Sequence, residues 1–131
     1  MKPPCMIVVQ HILPALRVLI MKDLIEKYNV RKIDASTKME LTPAAITQYM
    51  KGERGASFIE EITKSEKTMK IVSEIAEALA KEKVPAETII GKLCEACNTI
   101  RSEGIICALH KKEFQALKDY KCTICEPSSN I

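Results

Sequence analysis

Apolar residues recur along this chain at three- and four-residue spacing, the period of a helix face, and not at the alternate spacing of a strand. Leu16, Leu19, Ile20, Leu24 and Ile25 form one such stripe, with Arg17, Lys22, Asp23, Glu26 and Lys27 opposite. The pattern predicts a helix opening near Pro14 and stopping near Asn29. Ile71, Val72, Ile75, Ala76 and Leu79 predict a second helix over Thr68 to Lys81, with Glu74, Glu77 and Lys81 on its wet side. Pro85 restarts the chain, and Ile89, Ile90, Leu93, Ala96, Cys97 and Ile100 line one side of a third helix that Gly104 caps.

Between these, the signal weakens. Pro3 and Pro4 disfavour a helix and Met6 to Val9 is β-prone, so residues 1–11 read as an extended lead-in. Residues 30–40 predict one short helix, with Val30, Ile33, Ala35 and Met39 as its inner face; their Asp, Ser and Thr content is poor for a longer one. Ser57 to Thr63 reads as a short helical turn through Phe58, Ile59 and Ile62. Beyond Gly104 only Glu113 to Leu117 suggests a helix, and the tail after Pro127 reads as loose. The expected fold is all-α: a helix-turn-helix unit over residues 1–66, then long helices and a cysteine-rich segment over 67–131.

One stretch stands apart, Leu41 to Gly55, LTPAAITQYMKGERG. Thr42 suits the N-cap, Pro43 the first helical position and Gly52 the stop. Ile46, Tyr49 and Met50 fall on one side. Thr42, Ala44, Ala45, Thr47, Gln48 and Lys51 are then left outward, small and hydrogen-bonding at one end and cationic at the other. A helix entering a DNA major groove needs little bulk near the bases, amides and hydroxyls for base edges, and cations for phosphate. Lys38, Lys51 and Arg54 are the candidate phosphate contacts. The competing reading is a short surface helix of any small helical domain.

Charge supports the first reading weakly. Residues 1–60 hold nine Lys/Arg against six Asp/Glu, whereas residues 61–131 hold eleven of each. The excess therefore sits with the candidate recognition helix. Trp is absent and aromatics make up 4% of the chain, so the core is aliphatic. The apolar start is interrupted by Gln10, His11, Pro14 and Arg17 and has no small-residue cleavage site, which argues against a secretory signal or a membrane span. The expectation is a cytoplasmic protein.

Six cysteines in a reducing compartment point to metal or redox chemistry over disulfides. Two CxxC pairs, Cys94-Glu95-Ala96-Cys97 and Cys122-Thr123-Ile124-Cys125, supply four thiolates. Cys107 could replace one, and His110, spaced Cys-x-x-His from it, is a further possible ligand. Zinc is the default by spacing. The sheath of Leu93, Ile105, Ile106, Leu109 and Ile124, and the lack of a glycine after either pair, tip the choice slightly toward an iron–sulfur cluster. Cys5 reads as a small core residue and His11 as structural. No nucleophile–base arrangement and no phosphate-binding glycine loop stands out, so an enzyme is not expected.

Taken together, the chain resembles a family of archaeal predicted transcription regulators that join a lambda-repressor-like (XRE-type) helix-turn-helix to a C-terminal cysteine cluster. The resemblance is carried by Lys2-Pro3-Pro4-Cys5, Ile12-Leu13-Pro14-Ala15-Leu16 and LTPAAITQYMKGERG. It continues in Leu93-Cys94-Glu95-Ala96-Cys97, Gly104-Ile105-Ile106-Cys107-Ala108-Leu109-His110 and Cys122-Thr123-Ile124-Cys125. It implies double-stranded DNA as partner, a homodimer, and DNA contacts by Thr42, Ala44, Ala45, Gln48 and Lys51. Residues 31–39 depart from the pattern by being more polar. The resulting expectation is a DNA-binding regulator whose cysteine site senses redox state or metal. The alternatives are a zinc-stabilised protein-interaction module without DNA binding, or a small redox or metal-handling protein.

Overall fold

A computed structural model describes residues 4–51, 58–81 and 84–107. These residues are predominantly helical and contain no strand. The elements are α1 (Pro4–Ile7), a π-helical turn (Val8–Ile12), α2 (Leu13–Lys27), α3 (Lys32–Lys38), α4 (Pro43–Met50), α5 (Ile59–Thr63), α6 (Glu66–Lys81) and α7 (Ala86–Ser102).

The chain is already helical at Pro4, so the extended reading of residues 1–11 is corrected from that point on. A proline in the first turn of a helix loses no hydrogen bond there. The β-branched run after it is overridden by packing, since Ile7, Val8 and Ile12 are buried in the core. From Cys5 to Lys27 the chain is one helix. Its single irregularity precedes Pro14, where the Leu13 N–H donates to the Val8 carbonyl, five residues back. Pro14 has no N–H, and its ring would crowd the Gln10 carbonyl in a regular helix. A widened turn relieves that crowding without ending the helix.

This long helix, with mean hydropathy 1.6, is apolar and long enough to cross a membrane. Half of its most apolar window is nevertheless buried within the fold. Ala15, Leu16, Val18, Leu19, Ile20, Met21 and Leu24 are buried around its circumference, because α3, α4, α5 and α6 all pack on it. α7 packs on α6. One core joins Ile7, Leu16, Leu24, Ile62, Val72, Ile75, Ile100 and Ile106, so residues on both sides of position 66 share it. A second, smaller cluster holds α4 to α2.

Two helix ends use the same device. After α7, Gly104 (φ +75°) bonds back to Arg101 O at 3.1 Å and Ile105 N–H to Ile100 O at 3.3 Å. After α3, Glu40 (φ +54°) bonds to Thr37 O at 3.2 Å and Leu41 N–H to Ser36 O at 2.8 Å. Both are Schellman caps, which place one left-handed residue just past the helix. Glycine was expected at 104; a glutamate in that conformation was not. Asn29, the expected stop of α2, is also left-handed, with φ +53°.

Polar ties join the elements. Lys92 of α7 pairs with Glu74 of α6 at 2.6 Å. That pairing draws the Glu74 carboxyl below, and the Lys92 ammonium above, their ordinary ranges. Ser65 caps α6, accepting from the Thr68 N–H at 3.3 Å, and hydrogen-bonds the Glu103 carboxylate at the end of α7. Ser65 has one hydroxyl proton, and the carboxylate is the acceptor that cannot donate. That proton therefore goes to Glu103, and the Thr68 hydroxyl, 2.8 Å away, donates to Ser65.

Candidate nucleic-acid interface and thiol pair

α4 starts as its sequence expects. Thr42 has extended backbone (φ −78°, ψ 152°), and its Oγ1 accepts from the Ala45 N–H at 3.1 Å. Pro43 occupies the first turn, and the Lys51 N–H closes the last one on Thr47 O at 3.0 Å. Ile46 and Tyr49 are buried against Val18 and Met21 of α2, with Ile25, Met39, Leu41 and Ile59 around them. Fully burying two such side chains stabilises by about 1.5–3 kcal/mol each.

Thr42, Ala44, Thr47 and Lys51 are exposed and Gln48 is half-buried. Ala45 is a correction: it is 9% exposed and belongs to the buried cluster. Residues 45, 46 and 49 subtend one arc of the helix, so anchoring Ile46 and Tyr49 draws Ala45 inward. Met50 closes α4 by its backbone; its side chain and all of Arg54 lie outside the described residues. Lys38 reaches α6: its Nζ donates to the Leu79 carbonyl at 3.3 Å, in the last turn of that helix, where the macrodipole favours a cation. In α3, Ala35 and Ser36 face inward while Ile33 is 61% exposed, the reverse of its expected placement. The buried arc follows the small residues because α3 lies close to α2, where Ala and Ser fit and a β-branched side chain is displaced to the flank.

At the other end, Cys94 and Cys97 lie one turn apart on α7, Cys94 exposed and Cys97 half-buried. Burial, and then the neighbouring Cys94, push the Cys97 thiol up to about 11, with Arg101 opposing them. Without a bound cation this thiol is therefore protonated near neutrality. A soft metal would have to displace that proton, as thiolate coordination generally requires. The pair would supply two of the ligands that a four-thiolate site requires.

Cys107 is half-buried near Gly104: a Cβ built on that glycine would lie 3.8 Å from the Cys107 Sγ. Among the described residues no three Cys, His, Asp or Glu side chains gather closely enough to hold a metal, so Cys107 does not join Cys94 and Cys97 there. Cys122, Cys125 and His110 lie outside the described residues, as does the expected helix at Glu113 to Leu117. Cys5, expected in the core, is exposed. His11 has a structural contact, edge-on to Phe58 with ring centroids 5.9 Å apart.

Arg101 escaped the sequence reading. Its Nε is buried with no hydrogen-bond partner among the described residues, and its charge acts on Cys97, four residues away. The Cys-x-x-x-Arg spacing on a helix was the available signal. Compared with models of protein families, with curated proteins and with solved structures, the chain finds no match.

Proposed function

We propose that the chain is a cytoplasmic DNA-binding regulator. In this reading α3, the turn Met39–Thr42 and α4 form a helix-turn-helix, and α4 enters the major groove of double-stranded DNA. The observation that carries it is α4 itself: capped by Thr42 and anchored by Ile46 and Tyr49, it leaves Thr42, Ala44, Thr47 and Lys51 in solvent with Gln48 beside them. Gln48 reads a base edge and Lys51 a phosphate. Cys94 and Cys97, with Cys122 and Cys125, hold an iron–sulfur cluster or zinc, the cluster slightly favoured. Loss of that group frees the C-terminal segment and alters the spacing of recognition helices in a homodimer. The protein catalyses no reaction.

Binding to a pool of random duplexes, followed by anisotropy titrations with an enriched site, tests the first half. Gln48→Ala should relax base preference, whereas Lys51→Ala should weaken all sequences alike and reduce the salt slope by about one. Equal affinity for every duplex and for both variants would refute α4 as the reader. Visible absorbance and metal content of protein purified without oxygen test the second half, and DNA affinity unchanged between loaded and metal-free protein would remove the coupling. The exposed Ile33 favours a second reading, in which the same helices dock a protein partner in place of DNA.

A further inference from the structure

A groove of about 270 Å³ runs between α2, the end of α3, α6 and α7. Its walls are Ile20, Met39, Ile75, Leu79, Ile89 and Leu93. On its α7 rim stands Ile90, expected on the buried face but 60% exposed. The correction has a simple cause: Ile89, Ala96 and Ile100 aim α7 at α6, which leaves Ile90 a flank position. A large apolar knob therefore borders an apolar hole on the same molecule.

Charged groups stand on both banks: Arg17, Lys38 and Glu40 on the side of α2 and α3, and Glu87 on α7 beside Ile90. Arg17, half-buried on the α2 bank, has no ion-pair partner among the described residues. Glu87 is exposed, also without a partner among them, and lies three residues before Ile90 on the same side of α7.

We propose that this face is a two-fold interface with a second copy of the chain. A two-fold axis uses one patch twice, so each feature must find its complement on that same patch. This patch meets the requirement: Ile90 of each copy covers the groove of the other, and Glu87 of each faces Arg17 of the other. The proposal does not rest on DNA binding.

Sedimentation of the full chain without DNA, over a concentration series, tests it. The chain sediments as a dimer. Ile90→Asp weakens the dimer at least about 100-fold, since two apolar side chains lose their burial. Circular dichroism should be unchanged, because the native side chain is mostly in solvent. Arg17→Glu and Glu87→Arg each weaken the dimer by about two- to thirtyfold, and combining them restores it. A monomeric wild type at tens of micromolar, a dimer indifferent to Ile90→Asp, or a double variant no tighter than either single one would overturn the interface. A monomer whose groove is filled by another part of the chain or by a small molecule would overturn it equally.

Discussion

Removing the Thr42 hydroxyl isolates one bond on which the order of α4 depends. A helix of fewer than about 12 residues is marginal in water by itself, and α4 runs only from Pro43 to Met50. Its persistence therefore rests on the buried Ala45, Ile46 and Tyr49 and on the Thr42 cap, whose Oγ1 lies 3.1 Å from the Ala45 nitrogen. Thr42 is exposed, so Thr42→Ala leaves no cavity and removes the cap alone. The expected loss is about 1 kcal/mol, with outer bounds of about 0.5 and 2. Thr42→Ser, which keeps the oxygen, should lose only a few tenths. Urea unfolding at one fixed protein concentration reads the total, and amide exchange at Ala45 reads the place. The Ala45 amide should exchange faster in the alanine variant and not in the serine variant. Alanine and serine variants of equal stability and equal Ala45 protection would refute the cap.

The two Schellman ends make opposite predictions. Glu40→Gly should stabilise by about 0.5–1 kcal/mol and Gly104→Ala should destabilise by about 1, because a left-handed residue with a Cβ is strained; thermal or urea unfolding decides both. Gly91 lies exposed inside α7 with nothing within 4 Å of a Cβ placed on it, so Gly91→Ala should add about 1 kcal/mol in the same assay. The raised thiol of Cys97 makes metal-free protein lose stability as pH climbs from about 9 to about 11, because the unfolded chain gives up that proton first. Cys97→Ser should flatten that part of the stability profile. Alkylation near pH 7 should label Cys94 ahead of Cys97, and mass spectrometry of timed digests would show it.

What the sequence disclosed was local chemistry. Thr42 and Pro43 announce the start of α4, and Gly104 the end of α7, because each acts on backbone within a turn of itself. The long stripes likewise give α6 and α7. The arc of a helix that faces inward is set by its neighbours, so Ala45, Ile33 and Ile90 were each assigned to the wrong side by spacing alone. Glu40 carries no turn signature, since the backbone imposes its conformation from the cap bonds around it. The early prolines mislead for a related reason: Pro4 marks a beginning, and Pro14 is absorbed in mid-helix. The candidate site was half legible, with α4 and the Cys94–Cys97 pair read from spacing and Arg101 unseen.

The widened turn before Pro14 also sets the azimuth of everything ahead of it. One surplus residue there rotates Ile7 and Val8 by roughly 100° relative to Leu16 and Leu19, compared with an unbroken spiral. Excising a single residue from Val8–Ile12 would thus press Pro14 against the carbonyl four residues back and swing the amino-terminal apolar residues off the core. Conversely, a homologue one residue shorter at this place would have to carry its oily side chains at different positions along the first two turns.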